Sequence, residues 1–574
     1  MPAALMLVFT LAKAIALAGR PVEWAPWSPV AFLWQDAAVV LVFTLLPRAR
    51  RTLYSAAAIL AIVNIPVTRA MGTPLTPTML HAAGGPLADS FRHYATWQNV
   101  ALILTLAVIT VIAPRALRCV PIVPFLAIFA ALGPIASRHV DTFGFERNPL
   151  TALLAPRQSS SNGDWSTITA GPSTRNLAHL RGAAAGFNII YVSLESTAAQ
   201  YLGLHGAQPD PMPNFSRLAG NAVVFDNAYA AYPESIKGLY SILCSTWPAF
   251  ASDTESYASL PCRSFASVLA DAGHSTALFH SGRFVYLGME AVIRNRGFTT
   301  LEDAGDIGGN HQSSFGIDEP STVARALRWI DSLAPDRPFF LTYLPIAGHH
   351  PYDSPAGGPF PDTDDFGRYR NALYYGDASL GALIEGIRAR GLEQRTLWII
   401  AGDHGEAFGQ HPGNYGHTFH LYEENIHVPL VIAAPGLIAH QIREPQVVSL
   451  IDLAPTVLAL AGLAAPAQYQ GRSLLDAPPH MALFFADYSL GLLGLRDGGR
   501  KCIYELGSGR ARLFDLRTDP FERRNLATRF PTRVRSYTQN LEHWSANVAR
   551  AFSLPRPRFI GTFFTLRDAH PAVK

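Results

Sequence analysis

Hydrophobic positions along this chain change their rhythm near residue 140. Before that point, five apolar runs follow one another at approximately 3–19, 27–47, 52–71, 97–114 and 119–137. Each approaches the ~20 residues that carry a helix across a bilayer's hydrocarbon core. The connectors between them are short and their charge alternates. Arg48, Arg50 and Arg51 separate the second and third runs, and Arg115 and Arg118 separate the fourth and fifth. The longer connector after the third run is mixed, with Asp89, Arg92 and His93. Basic connectors stay on the cytoplasmic side, so the chain is expected to start inside, and everything after residue 140 to lie outside the cytoplasm. A cleaved signal peptide is the rival reading of the first run, but no basic segment precedes it and four more runs follow. Lys13 and Asp36 fall inside runs, where a charge costs ~2.5–3.5 kcal/mol on insertion scales. Each reads as a headgroup or relay contact, or more plainly as snorkelling or a misplaced boundary. For Lys13 the plain reading is preferred; for Asp36 the two stand level.

Beyond the fifth run the pattern turns into short apolar strands alternating with amphipathic helices. Residues 141–185 read as a linker, and within them 156–175 is rich in Ser, Gly, Pro and Thr without periodicity. Strands are expected at Asn188–Leu194, Thr276–His280, Pro338–Tyr343 and Thr396–Ala401, with helices at 264–272, 320–334 and 370–390. Such alternation predicts an α/β fold with a mostly parallel sheet covered on both faces. The domain plan is a transmembrane anchor over 1–140, the linker, a catalytic domain over 186–475, and its C-terminal part over 476–574.

Composition sharpens this picture. Charged residues make up 16% of the 574 and hydrophobic ones 49%, which argues against a disordered chain and for one that is partly membrane. Lys and Arg number 46 against 43 acidic residues, so no broad cationic footprint for nucleic acid exists. Only four residues are lysine: Lys13, Lys237, Lys501 and Lys574. The four cysteines show no paired spacing for a zinc ribbon.

In parallel sheets, ligands gather beyond the carboxyl ends of the strands. Three strand ends here carry chemistry: Glu195 after NIIYVSL, Asp403-His404-Gly405-Glu406 after TLWIIAG, and His349-His350-Pro351-Tyr352 after FFLTYLPIAG. A carboxylate from one strand and an adjacent Asp-His from another supply O, O and N donors for one divalent ion. That set suits Zn²⁺ or Mn²⁺ better than Ca²⁺, which prefers an all-oxygen cage. Each signal alone is weak, since a single Glu after a strand commonly serves a helix N-terminus.

Several segments together resemble the alkaline-phosphatase-like superfamily, in the branch holding sulfatases, lipoteichoic acid synthases and phosphoethanolamine transferases. They are NIIYVSLES (188–196), PNFSRLAGNAVVFDNAYA (213–230), AGDHGEAFGQH (401–411), GHTFHLYEENIHVPLVI (416–432), VSLIDLAPTVLALAGL (448–463) and LFDLRTDPFERRNLA (513–527). The five preceding helices resemble the anchor of the lipoteichoic acid synthase branch. The resemblance implies an α/β/α sandwich and an enzyme acting on phosphate or sulfate esters. It places Ser235 at the nucleophile's position, with Glu195, Asp403, His404 and Ser235 itself around one divalent metal ion. His349 matches the family's H-x-P-[FY] histidine, with His350 as its fallback, and His417 matches its Gly-His position; both are expected to touch phosphate oxygens or protonate a leaving alkoxide. Lys237 reads equally as a phosphate contact or a solvated loop residue. His280 and His420 read as structural.

Sulfatases require Cys or Ser followed by x-Pro-x-Arg for conversion to formylglycine, whereas this chain reads Ser235-Ile-Lys-Gly-Leu239. A plain serine nucleophile is therefore expected, which suits phosphoryl transfer. The resemblance implies a lipid donor in the bilayer and a cell-envelope glycan or lipid as acceptor, at a bacterial inner membrane with the catalytic domain periplasmic; the alternative is a sulfuric or phosphoric ester hydrolase. Where lipoteichoic acid synthases carry Trp-Asn-Arg, this chain reads Arg283-Phe-Val-Tyr-Leu-Gly-Met289. Cys244 and Cys262 are expected to pair outside the cytoplasm, as in similar transferases, with Cys119 and Cys502 free.

Overall fold

The computed structural model describes residues 1–553 apart from 21, 23, 47–49, 83–95, 119, 155–176, 251, 314, 356 and 476–480. Arg48, Asp89, Arg92, His93, Cys119 and the 156–175 segment lie outside the described residues.

Continuous runs of β-branched and aromatic residues bounded by Gly and Pro make strands that are buried on both faces. In chain order these are β1 (Asn188–Leu194), β2 (Ala222–Tyr229), β3 (Ser275–His280), β4 (Thr300–Glu302), β5 (Phe339–Leu344), β6 (Thr396–Gly402), β7 (Ala407–Phe408), β8 (Tyr415–Gly416), β9 (His427–Ala433) and β10 (Ile442–Ser449), followed by β11 (Ala482–Ala486), β12 (Leu492–Asp497), β13 (Arg500–Glu505) and β14 (Arg510–Asp515). The main sheet runs β10-β2-β9-β6-β1-β5-β3-β4. It is parallel except at β9, which is antiparallel to both β2 and β6. Period-two alternation sends Ile189 and Tyr191 to one face and Ile190 and Val192 to the other. On the first face lie Ile236, Leu239, Phe265 and Val457; on the second lie Val323, Trp329, Leu373 and Leu383. Both faces are thus covered by helices.

β11 to β14 form an antiparallel meander. Tyr537, Leu541 and Trp544 of the helix Pro531–Ser553 pack on one face of it. Its other face meets Leu421 and Tyr422 of the catalytic loops. Lys501 is wholly buried at that junction, 2.9 Å from Glu423 and 3.0 Å from Glu522. A buried lysine needs such carboxylates, because an unpaired charge there is costly.

The anchor contains helices at Pro2–Leu17, Ser28–Thr44, Arg50–Met71, Trp97–Ala116 and Val123–His139. Two of them, Arg51–Met71 and Trp97–Ala116, are long and apolar enough to cross a membrane; the other three have 16 or 17 residues. The Trp97–Ala116 helix leaves Leu104 61% and Val111 65% exposed, an apolar surface facing no protein. Lys13 and Asp36 neither snorkel nor sit at misplaced boundaries. They pair at 2.5 Å, and Lys13 Nζ also donates to the carbonyls of Phe32 (2.6 Å) and Glu146 (3.2 Å). Asn148 Nδ2 donates to the other Asp36 oxygen at 2.6 Å.

Of the linker expected over 141–185, residues 141–154 dock between the N-terminal helices and the catalytic unit, Leu177, Leu180 and Ala184 join the core, and 155–176 lie outside the described residues. Asp141 accepts from Arg512 (2.6 and 2.7 Å) and Arg510 (2.8 Å). Burial alone would raise its carboxyl, but the two guanidiniums outweigh burial and hold it well below the usual carboxylate range. Connectors after the first, third and fifth helices all meet the catalytic unit. Arg20 lies over the Tyr415 ring at 5.3 Å, Gly72 abuts Gly413 so closely that a Cβ would lie 2.2 Å from its oxygen, and Arg147 reaches Ser489. These three connectors all leave odd-numbered helices of the N-terminal segment and meet the same unit.

Cys244 and Cys262 form a disulfide, and Cys502 is free and buried. Closing an 18-residue separation stabilises by about 3 kcal/mol in the chain-entropy account. Replacing both with Ser is therefore expected to lower the catalytic unit's unfolding free energy by about that amount, measured by denaturant titration; an unchanged midpoint would refute a stabilising role.

Candidate active site

Three strand ends converge. β1 and β6 are neighbours in parallel register, with Leu194 opposite Gly402, so Glu195 and Asp403 emerge side by side. One donor atom each from Glu195, Asp403 and His404 lies within 4.8 Å of the others, and all three residues are buried. The backbone there is specialised. Ser196 adopts φ +53°, held by its N–H on Asp403 Oδ1 (3.0 Å) and by Tyr369 Oη donating to its carbonyl (2.7 Å). Gly348 must be glycine because a Cβ would fall 2.1 Å from the Glu195 carbonyl oxygen.

Hydrogen bonds settle which atoms face inward. Asp403 Oδ1 accepts from the N–H groups of Ser196 and His404 (2.7 Å), which leaves Oδ2 for the cluster. His404 Nδ1 lies 3.0 Å from the Gly405 carbonyl; a carbonyl only accepts, so Nδ1 carries hydrogen and Nε2 offers a lone pair inward. Burial raises the Glu195 carboxyl and the adjacent Asp403 charge raises it further. For His404, burial lowers the pKa, but Asp403 and Glu195 together outweigh burial and raise it. Two carboxylates and an imidazole in a dry pocket have chemistry that fits a divalent cation, which offsets charge the protein itself leaves uncompensated.

Ser235 opens the helix Ser235–Cys244 and is half-buried, unlike the rest of that helix. Its N-cap is Glu234, whose carboxylate accepts from Ile236 N (2.9 Å) and Lys237 N (3.1 Å). Ser235 Oγ lies 3.0 Å from Glu195 Oε2 and 3.1 Å from His404 Nε2. A hydroxyl at a helix N-terminus also sits where the helix dipole favours developing negative charge.

His417 comes from β8's end and stacks on His404 with centroids 4.2 Å apart. Its Nδ1 is 2.7 Å from Glu406 Oε2, and Tyr352 Oη donates to Glu406 Oε1 at 2.6 Å. Burial would raise Glu406, but His417 and these hydrogen bonds more than offset burial and lower it, so Glu406 is an anion that orients His417. His349 stands 6.0 Å from His417 by ring centroid, with Nδ1 2.7 Å from the His350 carbonyl. Burial first, then His417, lowers its pKa to about 3, so at neutral pH it is an uncharged imidazole with a lone pair on Nε2.

The structure thus brings Glu195, Ser235, Asp403, His404, His417 and His349 into one site. Lys237 points elsewhere: it is buried, with Nζ 3.5 Å from Asp487 and over the Tyr232 ring at 5.0 Å. His280 bonds the Leu344 carbonyl, a structural role. Sequence reasoning missed Glu406 and Tyr352 as orienting groups, although both stand in the quoted motifs. Tyr286 and Tyr488 also went unread; burial first, then the Glu234 charge, raises both phenols. Nothing local marks either tyrosine.

Residues 187–463, just under half of the chain, match the sulfatase family model. Arylsulfatase K of Mus musculus is 33% identical over 251 residues, covering 38% of this chain and 44% of that protein. The chain therefore spans under half the length of the curated relative it matches. Among solved structures, an alkaline phosphatase superfamily protein from Vibrio parahaemolyticus superposes with TM-score 0.54 at 19% identity, covering 68% of this chain and 90% of that one. A lipoteichoic acid synthase from Listeria monocytogenes gives 0.50 at 17% identity, covering 67% and 98%. Both share the fold.

Two outcomes follow from the cluster. Asp403→Asn and His404→Ala are expected to lose bound metal and turnover together, read by elemental analysis beside activity. Because Glu195 and His404 both hold protons more tightly than usual, a cation must displace protons, and its affinity should rise with pH across the neutral range. Calorimetric titration in buffers of different ionisation enthalpy should record proton release; none would contradict the ligand assignment.

Proposed function

We propose that this sulfatase-family chain is a membrane-anchored, metal-dependent phosphotransferase that moves a phospho-headgroup from a bilayer lipid, through Ser235, to a cell-envelope glycan or lipid. The observation that carries this reading is Ser235 Oγ at 3.0 Å from Glu195 and 3.1 Å from His404, in a catalytic unit docked on apolar helices. Glu195, Asp403 and His404, with Ser235, would hold one divalent ion, Zn²⁺ or Mn²⁺ by donor type, supplying Lewis-acid charge to the serine oxygen and the phosphoryl group.

This chain's own residues divide the remaining work. Glu195 takes the hydrogen of Ser235, whose oxygen forms a bond to phosphorus while the bond from phosphorus to the lipid alkoxide breaks. His417, oriented by Glu406, gives a proton to that departing alkoxide. In the second half, His349, uncharged with a free Nε2, accepts the proton of the incoming alcohol as its oxygen displaces Ser235. The phosphoryl group ends on the acceptor, Glu195 returns the hydrogen to the serine, and the proton taken by His349 replaces, through solvent, the one His417 gave, so protons and bonds balance.

Five spans, with the catalytic unit outside the cytoplasm at a bacterial inner membrane, belong to the same proposal. The three connectors that meet the catalytic unit, the lipid-like surface of Trp97–Ala116 and the disulfide support it. A second reading, hydrolysis of a sulfate or phosphate ester, is favoured by the likeness to arylsulfatase K. The Ser235-Ile-Lys-Gly sequence supports transfer through a plain serine.

Membranes containing the wild-type chain, given phosphate-labelled lipid extract, should pass label to an envelope acceptor. Ser235→Ala should lower this by about 10³-fold or more while retaining the fold. Release of free headgroup phosphate, or rapid cleavage of nitrophenyl sulfate without transfer, would replace this reading with hydrolysis. Undiminished activity in Ser235→Ala would remove the nucleophile assignment. Glu406→Gln, which leaves His417 without its anionic partner, should cost about 10²-fold in kcat.

A further inference from the structure

Lys237 is two residues past the nucleophile, yet its charge is directed away from the metal cluster. Its partner, Asp487, begins the turn between β11, which ends at Ala486, and β12, which starts at Leu492. Three consecutive residues of that turn bind other parts of the molecule. Asp487 accepts from Tyr232 Oη at 2.5 Å through one oxygen and lies 3.5 Å from Lys237 Nζ through the other. Tyr232 and Lys237 flank Ser235 on its two sides in the chain, and all of Tyr232, Lys237 and Asp487 are buried. The Tyr488 backbone carbonyl accepts from Thr76 Oγ1 at 2.8 Å. Ser489 Oγ is 2.7 Å from Thr73 Oγ1, and Arg147 Nη1 donates to both the Ser489 carbonyl (2.8 Å) and its Oγ (2.9 Å).

Thr73 and Thr76 belong to the connector leaving the Arg51–Met71 helix. Arg147 lies between Glu146 and Asn148, the two residues gripped by Lys13 and Asp36 inside the anchor. An unbroken series of direct contacts therefore leads from the membrane helices, through a three-residue strap, to both sides of the nucleophile.

We infer that the Asp487–Ser489 strap sets the position of Ser235 from the membrane side, with Asp487 and Lys237 as positioning residues and Arg147 as the anchor's grip on the strap. It rests on the proposed function only in taking Ser235 as the nucleophile. The physical reason is tolerance: Ser235 Oγ is placed to hydrogen-bond distance of two groups, and a misplacement of about 1 Å can cost about 10²-fold in rate. The lysine ammonium is committed to Asp487 and the Tyr232 ring, so it holds the helix's first turn rather than a substrate oxygen. Docking on the anchor thereby becomes a condition for a competent nucleophile.

The test uses the full chain in lipid nanodiscs, with nitrophenyl phosphate and nitrophenyl sulfate as water-soluble esters, so that lipid access limits nothing. Arg147→Gln, Asp487→Asn and Lys237→Met should each lower kcat by about 10-fold to 10²-fold, with KM within about twofold and metal content unchanged. Lys237→Arg, which keeps the cation, should recover most of the loss. The double variant Arg147→Gln/Asp487→Asn should be no worse than Asp487→Asn alone, because both act through one strap. An Arg147→Gln chain with unchanged kcat, independent multiplication of the two losses, or equal loss in both Lys237 variants would overturn the inference. Should Asp487→Asn fail to fold, Thr73→Val and Thr76→Val loosen the strap from its other end and carry the same expectation. Hydrogen exchange of the 233–244 backbone, read on the same variants, should quicken in Arg147→Gln whether or not an ester is turned over. A wild-type chain inert to both esters would count against the proposed function, and exchange alone would then decide the strap: unchanged protection in Arg147→Gln refutes it.

Discussion

Two carboxylates forced together in a dry pocket are the constraint around which this catalytic unit is organised. Glu195 and Asp403 emerge side by side because β1 and β6 are parallel neighbours in strict register. Parallel strands present their carboxyl ends on one edge of the sheet, and the polar residues that follow have nowhere else to go. Burial, then repulsion from Asp403, raises Glu195. The site answers with His404, with backbone N–H groups on one oxygen of Asp403, and with a geometry that fits a cation. The serine, the helix N-terminus and the histidines around it gain their chemical meaning from that concentration of charge.

Around the cluster, second partners do the orienting. Glu406 and Tyr352 fix His417, a carbonyl fixes the tautomer of His404, and another fixes that of His349. The result is two imidazoles in different surroundings: one beside an anion, the other uncharged through burial. Unlike environments for like groups are what allow one pocket to give a proton in one half-reaction and take one in the other, as the proposed transfer requires. The buried Lys501 triad and the meander it secures bring the β11–β12 turn against the helix that Ser235 opens, so the C-terminal sheet is part of the site's scaffold rather than an appendage.

The relation between anchor and catalytic unit is equally specific. Apolar helices alone would tether an enzyme without orienting it. Here Asp141 between two arginines and Arg147 on Ser489, both after the fifth helix, and Gly72 against Gly413, after the third, hold the unit at two connectors. Lys13 and Asp36, costly within apolar helices, satisfy one another and fasten the segment that carries Arg147. Their place in the helices makes sense as part of this seam.

Local pattern was enough for much of this. Continuous apolar runs ending in Gly or a carboxylate located β1, β3, β5 and β6 within a residue or two, because strand burial and strand ends are properties of neighbouring residues. Asp403 and His404 are adjacent at one strand end, so their grouping was legible as well, whereas Ser235 was placed by resemblance and the orienting role of Glu406 was not read. The contacts made by Asp141 and by Leu177, Leu180 and Ala184 were hidden because their partners lie far along the chain. The direction of Lys237 was undecidable for the same reason: its charge is claimed by Asp487, 250 positions on. Residue types and their local spacing determined which chemistry this protein carries; only the folded chain decided which charges meet, since contact between distant segments depends on packing that no single stretch of sequence contains.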